Sequence, residues 1–197
     1  MPEQAQPSKR ALRAELRERR RIMTTSEQAS AAAGLLANLM RVVDQYAAGN
    51  VACYLSTGDE PPTREFLEWA HSQSIRVILP VAREDGLMDW ATYDRENEGL
   101  DAIGMPAPLG EVLPPIALAD VDLIFVPAAA VAHDGMRLGW GRGYYDRALG
   151  SLNRAAPIYA VVYDHEVMDD VPRENHDQLV HAVVTPERII SLDPDFV

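Results

Sequence analysis

The order of apolar and polar positions predicts three helices. An apolar stripe at helical spacing runs through residues 8–23, and Ser8 precedes it as the predicted N-cap. A second helix is predicted over 25–48, with cap candidates at 24–26 and a glycine near its end. A third is predicted over 63–72, capped by the threonine at its start. The chain thus begins with two consecutive helices.

Six shorter apolar runs predict strands. They cover residues 51–55, 75–81, 88–93, 121–132, 158–163 and 181–185. Most are apolar at nearly every position, which is typical of parallel strands covered on both faces, whereas 88–93 alternates and predicts an edge or antiparallel strand. Strands that alternate with helices in this way predict an α/β fold, with a mainly parallel sheet between two helical layers.

The connections between these elements indicate where a ligand would bind. Residues 99–120 are rich in proline and glycine and predict a long irregular connection, and no internal repeat is present. A chain of 197 residues fits one domain, 1–197. Ligands of such sheets sit beyond the carboxyl ends of the strands. The loops 56–60, 126–143 and 163–177 follow predicted strands, so we expect them to converge on one edge.

Charge is unevenly distributed along the chain. The net charge is −12, but residues 1–21 carry seven basic and three acidic side chains, a balance of +4 that leaves −16 on the rest. An acidic body argues against general nucleic-acid binding, because phosphate neutralisation dominates that affinity. The basic segment is compatible either with a nucleic-acid arm or with a helix that carries charge to an anionic small molecule.

The composition also predicts a compartment. No apolar run approaches the about 20 residues of a membrane helix, and the charged N-terminus lacks the apolar segment of a secretory signal. The single cysteine, Cys53, lies in an apolar run and is interpreted as a small core residue. A chain that cannot form an internal disulfide suits a reducing environment. We therefore expect a cytoplasmic protein without a membrane partner.

The stretch RLGWGRGYYDR, residues 137–147, combines groups suited to a bound nucleotide. Its alternate glycines allow close backbone approach and anion-binding turns, and a helix is predicted to begin beside them. The spacing G-x-G-x-G matches neither a P-loop nor the dinucleotide-binding G-x-G-x-x-G, and it does not directly follow a predicted strand. The groups are arginines for phosphate (Arg137, Arg142), a carboxylate for Mg²⁺ (Asp146) and aromatic faces for a flat heterocycle (Trp140, Tyr144, Tyr145).

This stretch resembles the signature of the 5-formyltetrahydrofolate cyclo-ligase family. Other family motifs are resembled, in order, by SKRALR, YLSTGDEPPT, LPV followed by MDW, GMPAP, and YDHEVMDDVPRENHDQLVHAVVTPE. The resemblance implies a three-layer α/β/α sandwich related to ribose-5-phosphate isomerases and CoA transferases. It also implies a monomeric enzyme that uses ATP and Mg²⁺ to cyclise 5-formyltetrahydrofolate, with or without a polyglutamate tail. The expected products are 5,10-methenyltetrahydrofolate, ADP and phosphate, formed through a phosphorylated formyl intermediate.

The resemblance also implies which residues bind each ligand. ATP contacts are expected from Lys9, Arg10, Ala11, Leu12 and Arg13 of the first helix and from Arg137, Leu138, Gly139, Trp140, Gly141, Arg142, Gly143, Tyr144 and Tyr145. Folate contacts are expected from Leu55, Glu60, Trp140, Gly141, Arg142, Gly143 and Tyr144. The implied metal ligands are Asp146 and Asp177, and the implied catalytic residues are Lys9, Arg137, Arg142 and Tyr144. Lys9 is the sole lysine and lies one helical turn from Arg13.

Four positions depart from the family pattern. Val131 stands in place of an aromatic residue, Ala132 in place of an aspartate, Glu166 in place of a glutamine and His181 in place of an aspartate. None is an implied phosphate or magnesium ligand. The departures bear on the shape of the folate pocket and on substrate choice more than on ATP binding.

Three other interpretations remain open. A non-catalytic folate- or nucleotide-binding protein of the same fold would not need two metal carboxylates. An RNA-binding protein that uses the basic first helix would bind with strongly salt-dependent affinity. His176 and Asp177 together could indicate a metal-dependent phosphohydrolase, but the other histidines show no metal-ligand spacing. We interpret the latter as surface or structural residues; they are His71, His133, His165 and His181.

Overall fold

The computed structural model describes residues 8–152, 156–174 and 177–193, and His176 lies outside them. The helices are α1 (Lys9–Arg21), α2 (Thr25–Tyr46), α3 (Arg64–Ser72) and α4 (Tyr144–Gly150). The strands are β1 (Asn50–Ala52), β2 (Arg76–Ala82), β3 (Met88–Thr92), β4 (Glu98–Leu100), β5 (Pro106–Pro108), β6 (Val112–Leu113), β7 (Leu123–Pro127), β8 (Ala130–Ala132), β9 (Arg137–Leu138), β10 (Ile158–Val161), β11 (Val167–Met168), β12 (Ala182–Val184) and β13 (Ile189–Ser191). Short 3₁₀ turns cover Pro115–Asp120 and Asp164–Glu166.

Eight strands form the central sheet in the order β13-β12-β10-β7-β1-β2-β3-β6. The five from β12 to β2 pair in parallel, while β13, β3 and β6 are antiparallel additions at the two sides. The predictions of a mainly parallel sheet and of an antiparallel strand at 88–93 are therefore confirmed. Apolar clusters cover both faces: α2 and α3 pack on one, and α4 packs with the 3₁₀ turn at 115–120 on the other.

The longest apolar run, predicted as one central strand over 121–132, is divided between two sheets. Its first half forms β7 in the main sheet, and its second half forms β8 in a small sheet of order β11-β8-β9. The prediction is wrong here because both halves and the bend between them are largely buried, so hydropathy carries no sign of the turn. The first two residues of the glycine stretch, Arg137 and Leu138, form β9. The sequence had not predicted this strand.

The connection at 99–120 is more regular than predicted, since it contains the antiparallel β4–β5 hairpin. Asp101 fixes this hairpin: its carboxylate accepts hydrogen bonds from the N–H groups of Ile103 (3.0 Å) and Met105 (2.9 Å). The same carboxylate accepts from the N–H of Ala82 at 3.0 Å. Because Ala82 ends β2, the hairpin is held at the carboxyl edge of the main sheet.

The loop after β1 is fixed by side-chain hydrogen bonds. β1 ends at Ala52, earlier than predicted, and the chain stays buried as far as Ser56. The hydroxyl of Thr63 donates to the Tyr54 carbonyl (2.6 Å) and accepts from the Ser56 N–H (3.2 Å). Thr63 therefore does not cap α3 with its side chain, contrary to the prediction, because its hydroxyl holds this loop instead.

Helix α1 packs on the small sheet. Its predicted N-cap is confirmed, since Ser8 Oγ accepts from the Ala11 N–H at 3.2 Å. Leu12 and Leu16 are buried among apolar residues of β8 and β9. Within the described ranges, no helix is long and apolar enough to cross a membrane.

Candidate active site

A cavity of about 1000 Å³ opens at the carboxyl ends of the parallel strands. The predicted convergence of loops is confirmed, since 56–60, 126–143 and 163–177 all contribute lining residues. Helix α1 lines one side with basic side chains, and the β4–β5 hairpin lines another with apolar ones. The volume lies at the upper end of the roughly 300–1,000 Å³ typical of single-ligand pockets, which suits two ligands side by side.

All the predicted site residues line this cavity except Ala11, Leu12 and Leu138. Leu12 and Leu138 are buried between α1 and the small sheet, and Ala11 is exposed. A helix turns by about 100° per residue, so a continuous run along α1 cannot face one cavity. Lys9, Arg10 and Arg13 do face it.

Two of the predicted phosphate-binding cations are paired with the predicted metal ligands. Lys9 Nζ lies 2.7 Å from Asp177 Oδ2, and Arg137 Nη2 donates to Asp146 Oδ1 at 2.6 Å. The two pairs are neighbours, because the N–H of Gln178, the residue after Asp177, donates to Asp146 Oδ1 at 3.4 Å. The structure thus brings together side chains from positions 9, 137, 146 and 177.

The two carboxylates suit a magnesium ion that arrives with a polyphosphate. Across the described ranges, no group of three or more His, Cys, Asp or Glu side chains could hold a metal. Mg²⁺ is usually bound through one or two carboxylates together with phosphate oxygens. Asp146 and Asp177 match that donor set, so the residues present fit Mg²⁺ in company with an anionic ligand.

The glycine stretch makes room for arginine side chains. Gly141 and Gly143 have positive φ angles, of 98° and 68°, which other residues rarely adopt. A Cβ at Gly141 would lie 3.1 Å from Arg13 Nη1, and one at Gly143 would lie 2.9 Å from Arg147 Nη1. Arg13 Nε also donates to the carbonyl at position 139, at 2.7 Å. The bare backbone therefore lets guanidinium groups lie directly against the loop.

Aromatic side chains form the junction between the loop and α4. Helix α4 begins at Tyr144 as predicted, but it has only seven residues. The Tyr144 hydroxyl donates to the Arg83 carbonyl at 2.7 Å, and the Arg147 guanidinium lies 5.2 Å from the Tyr144 ring centre. The Tyr145 hydroxyl is buried and has no hydrogen-bond partner among the residues that the structure describes, and burial raises the pKa of that phenol. Tyr145 is therefore neutral in the folded protein.

Glu60 lies on the side of the cavity formed by the loop after β1. Both the N–H and the hydroxyl of Thr57 donate to Glu60 Oε2, at 3.0 Å each. Burial raises the pKa of the Glu60 carboxyl, against the Thr57 hydrogen bonds and the charge of Arg20, which lower it. Leu55, also predicted, is buried beside this loop and lines the same region.

Sequence reasoning missed Arg20 as a residue of this cavity. Arg20 is 2% exposed, lines the cavity and forms a two-point ion pair with Glu166, which is fully buried. A signal was available, because Leu12, Leu16 and Arg20 follow at intervals of four on the buried face of α1. A charged residue on such a face must have a buried partner.

The four departures from the family pattern lie outside the cavity lining. Val131 and Ala132 are completely buried in apolar clusters. His181 Nδ1 accepts from the Ile158 N–H at 2.9 Å, and burial lowers the pKa of its imidazole, in keeping with a structural role. Of the four, Glu166 contacts a lining residue through its side chain, since it is bonded to Arg20.

Comparison with known proteins agrees with this geometry. A family model described as the 5-formyltetrahydrofolate cyclo-ligase family matches residues 5–186. The chain is 36% identical over 143 residues to a Mycolicibacterium smegmatis protein named 5-formyltetrahydrofolate cyclo-ligase, a match that covers 70% of this chain and 74% of that protein. It is 27% identical over 179 residues to an Escherichia coli protein of the same name, covering 88% and 98% of the two chains.

Solved structures show the same architecture. The structure of Aquifex aeolicus 5,10-methenyltetrahydrofolate synthetase matches with a TM-score of 0.79 at 27% identity, over 93% of this chain and 92% of that one. A Mycoplasma pneumoniae protein with the same name matches with a TM-score of 0.73 over 92% of this chain and 100% of that one. At its 21% identity, this match supports the fold alone. The predicted α/β sandwich is confirmed, and the chain belongs to the 5-formyltetrahydrofolate cyclo-ligase family.

Proposed function

We propose that this protein converts 5-formyltetrahydrofolate and ATP into 5,10-methenyltetrahydrofolate, ADP and phosphate, with Mg²⁺. Family membership and the names of the relatives support the reaction. The observation that carries the residue assignment is the convergence of a cationic, glycine-rich region and a deeper region around Glu60 in one cavity.

The reaction needs the formyl oxygen to become a leaving group. Transfer of the γ-phosphoryl group to that oxygen forms a P–O bond and releases ADP. The folate nitrogen N10 then attacks the formyl carbon, the C–O bond breaks with loss of phosphate, and the N10 proton passes to solvent. Positioning and charge stabilisation dominate catalysis of this kind.

We assign the phosphate end to the side of α1 and the glycine stretch. Lys9 and Arg13 lie on one face of α1, and Arg137 and Arg142 approach from the opposite loop. These cations and the backbone N–H groups of the loop would hold the triphosphate. Asp146 and Asp177 would hold Mg²⁺, which would neutralise part of the phosphate charge.

We assign the folate end to Leu55, Glu60 and the aromatic residues of the glycine stretch. Glu60 Oε2 already accepts two hydrogen bonds, and no described residue bonds Oε1. That oxygen could accept from N–H groups of the pterin ring. Trp140 and Tyr144 also line the cavity, and we place their aromatic rings between the phosphate end and the folate end.

Two further assignments follow from the cavity lining and the cysteine content, beside the proposed action as a monomer. Five basic residues of α1 line the cavity, which favours a small anionic ligand over an RNA for this helix. The buried Cys53 thiol and the absence of other cysteines suit the cytoplasm.

The test is near-ultraviolet absorbance of purified protein mixed with 5-formyltetrahydrofolate, with and without MgATP. We expect a methenyl-folate band that grows only with MgATP, and its loss in Asp146→Ala. Folded protein that binds both ligands yet forms no band would instead be a non-catalytic binding protein of the same fold.

A further inference from the structure

We propose that the buried ion pair between Arg20 and Glu166 positions Trp140 and thereby sets the shape of the folate end of the cavity. The proposal rests on the proposed function for the identity of the substrate. Its structural part, the support of Trp140, stands on the contacts of the pair alone. Arg20 is accordingly a positioning residue that acts through the tryptophan.

The pair joins three separate parts of the chain. Arg20 Nε and Nη2 donate to the two carboxylate oxygens of Glu166, at 2.6 and 2.8 Å. Nη2 also donates to the Ala128 carbonyl, just beyond β7, at 2.8 Å. Glu166 Oε2 in turn accepts from the Tyr163 N–H at 2.8 Å. Helix α1, the bend after β7 and the turn after β10 are thus fastened at one point.

The guanidinium of Arg20 also lies close to two aromatic rings. Its Nη1 is buried and has no hydrogen-bond partner within the described ranges. The guanidinium carbon lies 4.9 Å from the centre of the Trp140 ring and 5.5 Å from that of Tyr163. A cation this close to an aromatic face is attracted to it, and the attraction is stronger away from water.

Trp140 needs such support because of its neighbours in the chain. It stands between Gly139 and Gly141, which have no side chains to anchor the loop. Arg17 also lies near its ring, at 5.2 Å, but the Arg17 side chain is exposed. Arg20 is the buried one of the two cations, and together with the apolar cluster of α1 and the small sheet, against which Trp140 packs, it sets the position of the ring.

The energetics of burial favour a positioning role over a purely stabilising one. Taking two charges out of water costs free energy that their attraction repays only with good geometry. A pair of apolar side chains can fill such a site with equal or greater stability. An apolar pair could not, however, hold the Trp140 ring by a cation–π contact while bonding to a strand-end carbonyl.

The test compares Arg20→Met with Arg21→Met, an exposed arginine on the same helix whose partner is Glu18. For Arg20→Met we expect the Trp140 emission of the free protein to shift to longer wavelength and to become more accessible to acrylamide. Variants that also carry Trp140→Phe give the background from Trp69 and Trp90. The Kd for 5-formyltetrahydrofolate should rise about tenfold, and the Kd for MgATP should rise by less, because Trp140 lies between the two ends of the cavity. Arg21→Met should change none of these.

A second variant separates positioning from stability. In Arg20→Leu combined with Glu166→Leu, we expect the thermal midpoint to be restored while the Trp140 emission and the folate Kd stay altered. Glu166→Gln, which keeps one acceptor for Arg20, should fall between wild type and Arg20→Met. Normal Trp140 emission and normal folate affinity in Arg20→Met, or in the double leucine variant, would overturn the proposal. Wild-type protein that binds no folate would overturn the proposed function alone, since the emission test needs no substrate.

Discussion

At the scale of single residues, two cations of the proposed phosphate site are paired with the two proposed magnesium ligands. Lys9 is bonded to Asp177, and Arg137 is bonded to Asp146. ATP without a metal would draw the cations away and leave two carboxylates unpaired beside its own negative charge. ATP with Mg²⁺ would replace both ion pairs at once, because its phosphates would pair with the two cations and Mg²⁺ would pair with the two carboxylates. On this assignment, we expect the binding of nucleotide and the binding of metal to be coupled.

A double variant tests this exchange. In Asp146→Asn with Asp177→Asn, metal-free ATP should bind more tightly than to wild type, because Lys9 and Arg137 are released and nearby negative charge is removed. Added Mg²⁺ should then give little further gain in affinity, and turnover should be lost. Titration calorimetry with EDTA or with Mg²⁺ measures both effects, and Glu18→Gln on the outer face of α1 is the control. Weaker binding of metal-free ATP to folded double variant would contradict the exchange.

At the scale of elements, the β4–β5 hairpin is a wall of the site that contains none of the predicted site residues. Ile103 and Met105 line the cavity opposite the basic face of α1. Asp101 holds both of these residues and the end of β2 through three backbone N–H groups. Asp101 thus fastens the tip of the hairpin to the end of β2, while Glu98 of β4 pairs with Arg64 of α3.

Asp101→Ala is expected to loosen this wall. Hydrogen exchange should become faster across 98–108, and KM for the folate should rise several-fold, while the Kd for MgATP stays near that of wild type. Asp94→Ala is the matched control, because Asp94 also accepts backbone hydrogen bonds, from Glu96 and Asn97, but does not line the cavity. A loosened hairpin with unchanged folate KM would show that this wall does not contact the substrate.

The elements also show what local pattern can and cannot predict. The parallel strands and the start of α1 follow from apolar runs and a capping serine, and these predictions are confirmed. The division of 121–132 was hidden because a bend between two buried segments looks like one long strand. The role of Thr63 could not be predicted, because a hydroxyl that precedes a helix can either cap the helix or bond to a loop. Here it bonds to the loop, since the Tyr54 carbonyl lies within hydrogen-bond distance.

At the scale of the whole molecule, the cavity carries the opposite charge from the body. Its described lining has eight basic and six acidic side chains, whereas the protein has a net charge of −12. Local positive potential draws anions to this one region and away from the rest of the surface. The family resemblance implied a set of ligand-binding residues that spans the chain from Lys9 to Asp177, and most of that set lines this cavity. It could not locate Arg20 and Glu166 as a pair, because their contact exists only once α1 has packed on the small sheet.

Salt is expected to weaken MgATP binding for this reason. The Debye length falls from about 30 Å at 0.01 M salt to about 3 Å at 1 M. Salt therefore screens the attraction between the nucleotide and the exposed cations at the rim, such as Arg10 and Arg142. The Kd for MgATP should rise several-fold over that range, while the thermal midpoint of the free protein changes little. Arg10→Met should show a smaller salt effect than wild type. A salt-independent Kd would mean that only the buried pairs contribute.

The sole lysine gives this site a spectroscopic reporter of its own. Protein grown with lysine carrying nitrogen-15 at Nζ would yield a single ammonium resonance, that of Lys9. Its protons should exchange slowly with water, since the side chain is 17% exposed and bonded to Asp177 and Glu174. A change in the chemical shift of that resonance on addition of nucleotide is expected if the Lys9 ammonium exchanges its carboxylate partners for phosphate. The measurement needs no substitution in the protein.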